Sequence, residues 1–324
     1  MLINLLTAKD NVAIVLPGGF EIYKYAIMIT FGIILSFALY LLLAHSRGID
    51  IDFSLELFIW VVPMAVIFCR VFYVVPRLGS EYTLKTWEGF LECLDIRGGG
   101  LTIIGGIFGG ALGIFFCALR NKKYSLMYVA DCVVIALFVG QIIGRWGNYF
   151  NQELYGVEVT NPALQRFPFA VYIDARQTWH YASFFYEGVL NSIGLITALL
   201  LYYLPKKKLK AGTFSLFYLM WYGLVRGTLE FLKGSDTQTI GNSGVKTVQL
   251  ICYIMSIVAI VLQILLQTGK IRLESKWFAK RCEQRRDALQ EKAVAQAVAI
   301  VNGENPSDMQ NKEVESAEKK DKNQ

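Results

Sequence analysis

The sequence predicts an all-α, polytopic membrane protein with seven transmembrane helices, its N-terminus outside and its C-terminus inside. Three observations lead there. Hydrophobic residues make up 54% of the 324-residue chain and charged residues only 18%, against about 25% charged in an ordinary soluble domain. The mean hydropathy is +0.41. Apolar runs of about 20 residues, the length that crosses the hydrocarbon of a bilayer, recur between Tyr25 and Gln267. Together these exclude a water-soluble globular enzyme, and exclude intrinsic disorder for all but the last stretch. Two histidines, and six cysteines (Cys69, Cys93, Cys117, Cys132, Cys252, Cys282) without a C-x-x-C pair, make neither a zinc site nor a disulfide framework.

The elements follow in order. Residues 1–22 lack a charged start, a short apolar core and a small-residue cleavage site, so they read as an amphipathic or loop segment on the outer face rather than a cleaved signal peptide. The membrane domain covers 23–268. Its spans are Tyr25–Leu43, Leu57–Val75, Leu101–Leu119, Leu126–Gly144, Ala182–Leu204, Thr213–Leu232 and Val248–Gln267. Arg145 ends the fourth, and Arg226 and Glu230 interrupt the sixth. Residues 269–301 read as a basic cytoplasmic helix resting on anionic lipid, and 302–324 as a disordered tail with little to bury.

Orientation comes from basic residues in short loops. Arg120-Asn121-Lys122-Lys123, Pro205-Lys206-Lys207-Lys208-Leu209-Lys210 and the cluster opening with Lys270 and Arg272 all fall on one side, the cytoplasm. The N-terminus and the longer loops 76–100 and 146–181 then face out. The partner implied by this arrangement is membrane lipid, not nucleic acid.

The polar residues inside the spans carry the functional signal. An ionisable group in hydrocarbon costs at least a few kcal/mol and usually faces a cavity. Arg70, Arg145, Glu187, Arg226 and Glu230, with Tyr25 and Gln249, all fall in one outer-leaflet layer although they come from separate spans; Asp131, near the inner end of the fourth, is the exception. Tyr222, Arg226 and Glu230, spaced i, i+4, i+8, share a helix face. Snorkelling explains any one of these residues, and helix packing explains an Arg–Glu pair, but neither needs partners at a common depth. Three arginines imply an anionic ligand gripped bidentately, and the abundant anion of an outer leaflet is a phospholipid headgroup. Glu153, Glu187 and Glu230 neutralise and orient the guanidiniums, or serve in proton transfer if burial raises their pKa. Gly105, Gly109 and Gly113 repeat at i+4 and read as close helix packing, whereas Gly98, Gly99 and Gly100 suit a backbone turn beside a headgroup.

From Gly144 the chain runs Gly-Arg145-Trp-Gly147-Asn148-Tyr149-Phe-Asn151-Gln-Glu153-Leu-Tyr-Gly156, read physically as an Arg leaving a helix, a Gly turn, then Asn, Asn and Glu. This stretch resembles the signature of the prolipoprotein diacylglyceryl transferases, G-R-x-G-N-F-x-N-x-E-x-x-G, differing only at Tyr149. The resemblance extends over most of 20–267. Ile22-Tyr23-Lys24-Tyr25-Ala26 is similar to the family's first-span entry, Arg70-Val71-Phe72-Tyr73 to the end of its second span, and Phe185-Tyr186-Glu187 to the L-Y-E of its fifth. Tyr222 through Phe231 resembles the sixth span with its Tyr, Arg and Glu, and Gln249 sits where the seventh carries Gln. Three positions depart. Ile104 stands where many members have His or Tyr, Lys233 where an Arg is common, and Tyr181-Ala182 where His-Pro is usual, with His180 displaced by one.

The resemblance implies a bacterial cytoplasmic-membrane transferase, its active site toward the outer leaflet, that moves the diacylglyceryl group of phosphatidylglycerol to the lipobox cysteine of prolipoprotein signal peptides, releasing glycerol phosphate without metal or organic cofactor. It implies catalytic roles for Arg145, Arg226, Glu230 and Tyr25. Phosphatidylglycerol binding is implied for Arg145, Asn148, Asn151, Glu153, Gly156, Tyr222, Gly99, Gly100, Gln249, Arg70 and Glu187. Rival classes are a non-catalytic phospholipid-binding scaffold and a small-anion transporter, which would continue its polar lining through the inner half. An intramembrane protease suggested by Gly241-Asn242-Ser243-Gly244 lacks a histidine within a span to act as base.

Overall fold

The structure, a computed structural model, describes residues 11–17, 20–96, 99–121, 124–204, 209–233 and 246–273, with Glu291 and Val294 beyond them. Each predicted span is occupied by a helix. These are α1 (Lys24–Ser46), α2 (Ile51–Val74), α4 (Ile103–Asn121), α5 (Leu126–Phe150), α6 (Ser183–Tyr203), α7 (Thr213–Leu229) and α8 (Thr247–Thr268), and a short α3 (Trp87–Leu94) lies in the loop after α2. Helices α1, α2, α5, α6 and α8 are long and apolar enough to cross a membrane, which makes the chain a multi-pass membrane protein. The apolar stretch of α4, Ile104–Cys117, is shorter, and α7 has 17 residues before a 3-10 turn over Glu230–Leu232. Large apolar side chains point outward, Ile59 at 68% and Ile257 at 61% exposure, as lipid rather than water allows.

Two expectations need correction. The fold is not purely helical. An antiparallel hairpin, β1 (Val12–Leu16) with β2 (Phe20–Tyr23), replaces the expected amphipathic or loop segment and feeds α1, and a second, β3 (Ala170–Ile173) with β4 (Thr178–Tyr181), lies between α5 and α6. Val12, Ile14 and Ile22 supply the β-branched residues that suit a pleated ribbon. The predicted end of the fourth span at Gly144 is also early, because α5 continues through Arg145 and Gly147 to Phe150. The hydropathy falls there but the backbone hydrogen bonds continue. The basic tail and the disordered end lie outside the described residues apart from 269–273, Glu291 and Val294, as do Lys206–Lys208, Gly98 and the Gly241–Gly244 segment.

Small residues set the packing of the helix pairs. A Cβ on Gly105 would stand 2.1 Å from the carbonyl oxygen of Phe68, on Gly109 2.3 Å from that of Met64, and on Gly113 2.9 Å from the Cα of Val61. The i+4 glycine stripe is therefore the seam along which α4 lies on α2. Helix α5 touches α1, α6 and α7. The apolar core, with Leu43, Phe53, Val129, Cys132, Ile135 and Phe214, gathers at the end of the bundle away from Arg145.

Asp131 belongs to this core end and explains its exceptional position. Its Oδ2 accepts from the Gly212 N–H (2.9 Å) and its Oδ1 from the Ser215 N–H and hydroxyl (both 2.8 Å). A carboxylate on α5 thus caps the N-terminus of α7, where unpaired N–H groups and the helix dipole favour an anion. Asp131→Ala leaves those buried donors unpaired. It is expected to cost about 2–4 kcal/mol of stability, visible as a lowered thermal midpoint in detergent. An unchanged midpoint would contradict the cap.

Candidate active site

The site is assembled at the end of α5. Asn151 is the C-cap of that helix, and Gln152 takes a left-handed backbone (φ 49°). The Gln152 N–H donates to the Tyr149 carbonyl (3.0 Å) and the Glu153 N–H to the Asn148 carbonyl (3.0 Å), the paired bonds of a Schellman motif with Gln where Gly is usual. Leu154 is left-handed too (φ 57°). The chain therefore reverses at 152–154, not at Gly147 as the sequence suggested. Gly147 stays helical, and the Tyr25 ring occupies the space where a side chain would be, 2.9 Å from a Cβ built there.

This reversal turns Glu153 back over the helix end. Asn148 Nδ2 donates to Glu153 Oε1 (2.7 Å), and the half-buried Asn151 reaches the same oxygen through its Nδ2 at 3.5 Å. Asn148 Oδ1 accepts from Arg145 Nη1 (3.0 Å), while Arg145 Nη2 is ion-paired with Glu187 on α6. The guanidinium is thus fixed on two sides, and its Nε is buried with no hydrogen-bond partner among the described residues. Leaving a buried donor unmade costs about 1–3 kcal/mol. The Tyr25 hydroxyl lies within electrostatic reach of both Glu153 and Arg145.

A second basic group adjoins the first. Arg226 Nη2 stands 3.1 Å from Glu230 Oε2, and Lys233 Nζ stands 3.5 Å from that same oxygen, with the Glu230 side chain only 1% exposed. Burial, and then the Arg226 charge, pull the Lys233 pKa below the ordinary lysine value, while Glu230 opposes them. Tyr222 lies within electrostatic reach of Glu187, Arg226 and Arg145. Gln249 Nε2 holds the Gly227 carbonyl (3.2 Å), pinning α7 to α8 beside Arg226. Lys246 Nζ donates to the Glu230 carbonyl (2.7 Å) and to that of Lys233.

Among the described residues, Arg70 makes no hydrogen bond or ion pair with these groups. Its Nε and Nη2 donate to the Cys93 and Glu92 carbonyls (both 2.8 Å) and its Nη1 to the Gly99 and Gly100 carbonyls (both 3.1 Å), with a long contact from Nη2 to Tyr82 (3.5 Å). Every N–H of its guanidinium has an acceptor, so it braces the α2–α4 loop. Gly99 and Gly100 have φ of 91° and 76°, and a Cβ on Gly100 would lie 2.4 Å from Arg70 Nη1. The turn expected from these glycines forms, wrapped on the arginine. Gly156 is a crossing point, where a Cβ would meet the Tyr181 side chain at 2.8 Å and the Leu232 carbonyl at 2.9 Å.

Sequence reasoning gave no role to four contributors. His180 is buried, its ring nitrogens 2.9 Å from the Gly156 carbonyl and the Thr178 hydroxyl, so it fixes the crossing at Gly156. Lys246 falls between the Gly241–Gly244 segment and the seventh predicted span, and belongs to neither pattern. Gln152 and Asp174 clasp each other through two hydrogen bonds (2.5 and 2.9 Å), a pairing across 22 residues that no local pattern announces.

Residues 11–265 match the family model described as prolipoprotein diacylglyceryl transferase. The chain belongs to that family. Its relatives include phosphatidylglycerol–prolipoprotein diacylglyceryl transferase 1 of Clostridium perfringens, 32% identical over 258 residues that cover 78% of this chain and 94% of the relative. The transferase of Clostridium kluyveri is 33% identical over 247 residues (75% and 91% of the two chains), and that of Bacillus cereus 33% over 252 (74% and 87%). At Ile104, where many family members have His or Tyr, the side chain is 71% exposed on α4.

Proposed function

We propose that the chain transfers the diacylglyceryl group of phosphatidylglycerol to the lipobox cysteine of a prolipoprotein, with its seven helices spanning the bacterial cytoplasmic membrane, N-terminus outside, and the Arg145 and Arg226 groups in the outer leaflet. The observation that carries this reading is the Arg145 guanidinium, held by Glu187 and Asn148 with a buried Nε that has no partner among the described residues. Such a fork fits the phosphate of a lipid headgroup.

The chemistry is displacement at an sp3 carbon. The acceptor sulfur forms a C–S bond to the glycerol carbon as its C–O bond to phosphate breaks, the electron pair leaves with glycerol phosphate, and the thiol proton is lost to the medium. Sulfur must react as thiolate, and cations must stand where negative charge grows on the leaving phosphate. Arg145 and Arg226 supply those cations. Glu187 and Glu230 keep them in place, Tyr25, Asn148 and Asn151 hold the headgroup, and Tyr222 spans the two arginines. Arg70, Gly99, Gly100, Gly156 and Gln249 act on the headgroup through the backbone and helices they hold. The position of Ile104 supplies no proton-transferring group.

Membranes containing the chain, given phosphatidylglycerol and a lipobox peptide, are expected to add one diacylglyceryl mass to the Cys peptide and none to its Ser counterpart. No adduct, from protein shown to be folded, would favour the phospholipid-binding scaffold; a diacylglyceryl adduct on both peptides would point to alkylation that does not require the cysteine thiol.

A further inference from the structure

Beyond the end of α5 and beside the β3–β4 hairpin lies a cavity of about 580 Å³, within the size range of ligand sites. We propose that it receives the extended polypeptide segment that follows the acceptor cysteine, so that the aromatic walls hold the protein substrate while Asn148 and Glu153 form the border with the lipid site. The inference rests on the transfer reading above.

Three features of the cavity support this. It adjoins the Arg145 group, since Asn148 and Glu153 line it and also belong to the Arg145 network. Its walls are aromatic, formed by Trp146, Phe167, Phe184, Tyr172 and Trp179, among others. Trp146 packs edge-on against Phe184 (5.8 Å between ring centres), and Tyr172 packs likewise against Trp179 (5.7 Å). Rigid aromatic faces of this kind bind peptide side chains at low entropic cost. Its charged lining residues are Glu153 and Asp174, both acidic, which disfavours a second anionic headgroup and leaves the polypeptide as the reactant to be accommodated. The Gln152–Asp174 clasp ties the hairpin wall to the loop that aims Glu153, so the two halves of the cavity are fixed relative to the reacting centre.

The test uses the full chain in membranes with two lipobox peptides, one ending at the cysteine and one extended by several residues. The extended peptide is expected to have the lower KM. Trp179→Ala is expected to raise its KM about tenfold, leaving the KM for phosphatidylglycerol and for the truncated peptide unchanged. Tyr172→Ala, at an exposed position, gives the same pattern without a folding risk. A benzophenone placed three residues after the cysteine is expected to crosslink within 146–184. Equal KM values for the two peptides, an equal shift of both by the variants, or crosslinks confined to the membrane helices would overturn the proposal. Crosslinks in the cavity without thioether formation would support the docking while refuting the transfer reading.

Discussion

Arg145→Ala is expected to lower transfer by about 10²–10³-fold, the loss typical of a preorganised group that stabilises developing charge. The size follows from its surroundings. Glu187 and Asn148 fix the guanidinium, so it meets the phosphate without reorganising. Removal also leaves Glu187, with its side chain 7% exposed, as a buried carboxylate without its partner, and breaking such a pair typically costs about 3–5 kcal/mol. Activity and stability are therefore both at risk, and two variants separate them. Arg145→Lys keeps a charge but cannot match the fork; it is expected to remain folded and to lose at least about tenfold in kcat. Arg145→Ala with Glu187→Gln removes both charges and is expected to regain thermal stability but not turnover. Wild-type kinetics in the lysine variant would take the bidentate grip out of the mechanism.

Arg226→Ala is expected to have a loss of similar order, about 10²-fold or more, but with a different companion effect. Glu230 retains Lys233 at 3.5 Å when Arg226 is removed, so the carboxylate is not stranded and the fold survives better than in Arg145→Ala. Measuring kcat, KM for phosphatidylglycerol and the melting midpoint together checks this. A loss confined to kcat identifies Arg226 with the charge that grows as phosphate departs, whereas a loss confined to KM identifies it with ground-state binding. Turnover at the wild-type rate would exclude both.

What the sequence made legible is what depends on period and on cost. The helices lie where apolar length demanded them, since spanning hydrocarbon leaves few other solutions for the backbone. Arg145, Glu187, Arg226 and Glu230 stood out because charges in those positions are expensive, and the structure brings each into an ion pair. The glycine stripe 105–109–113 read correctly as a packing seam for the same reason, a recurrence at helical spacing. What escaped was set by tertiary contact. Arg70 looks like Arg145 in sequence, yet the carbonyls of Glu92, Cys93, Gly99 and Gly100 absorb it. Asp131 looked like an outlier until Gly212 and Ser215, 81 and 84 residues away, were placed against it. Gly147 resembled a turn, but the Tyr25 ring selects glycine there for space. The two hairpins are too short for a period of two to register against the hydropathy of their neighbours.

The most direct test of the central claim follows both halves of the lipid. Phosphatidylglycerol labelled in its terminal glycerol phosphate and separately in its diacylglyceryl moiety, incubated with the folded chain and a lipobox peptide, is predicted to yield one glycerol phosphate for each thioether formed, with both products falling together by about 10²–10³-fold in Arg145→Ala. Release of glycerol phosphate without thioether, or thioether formation that persists at the wild-type rate in Arg145→Ala, would contradict the account.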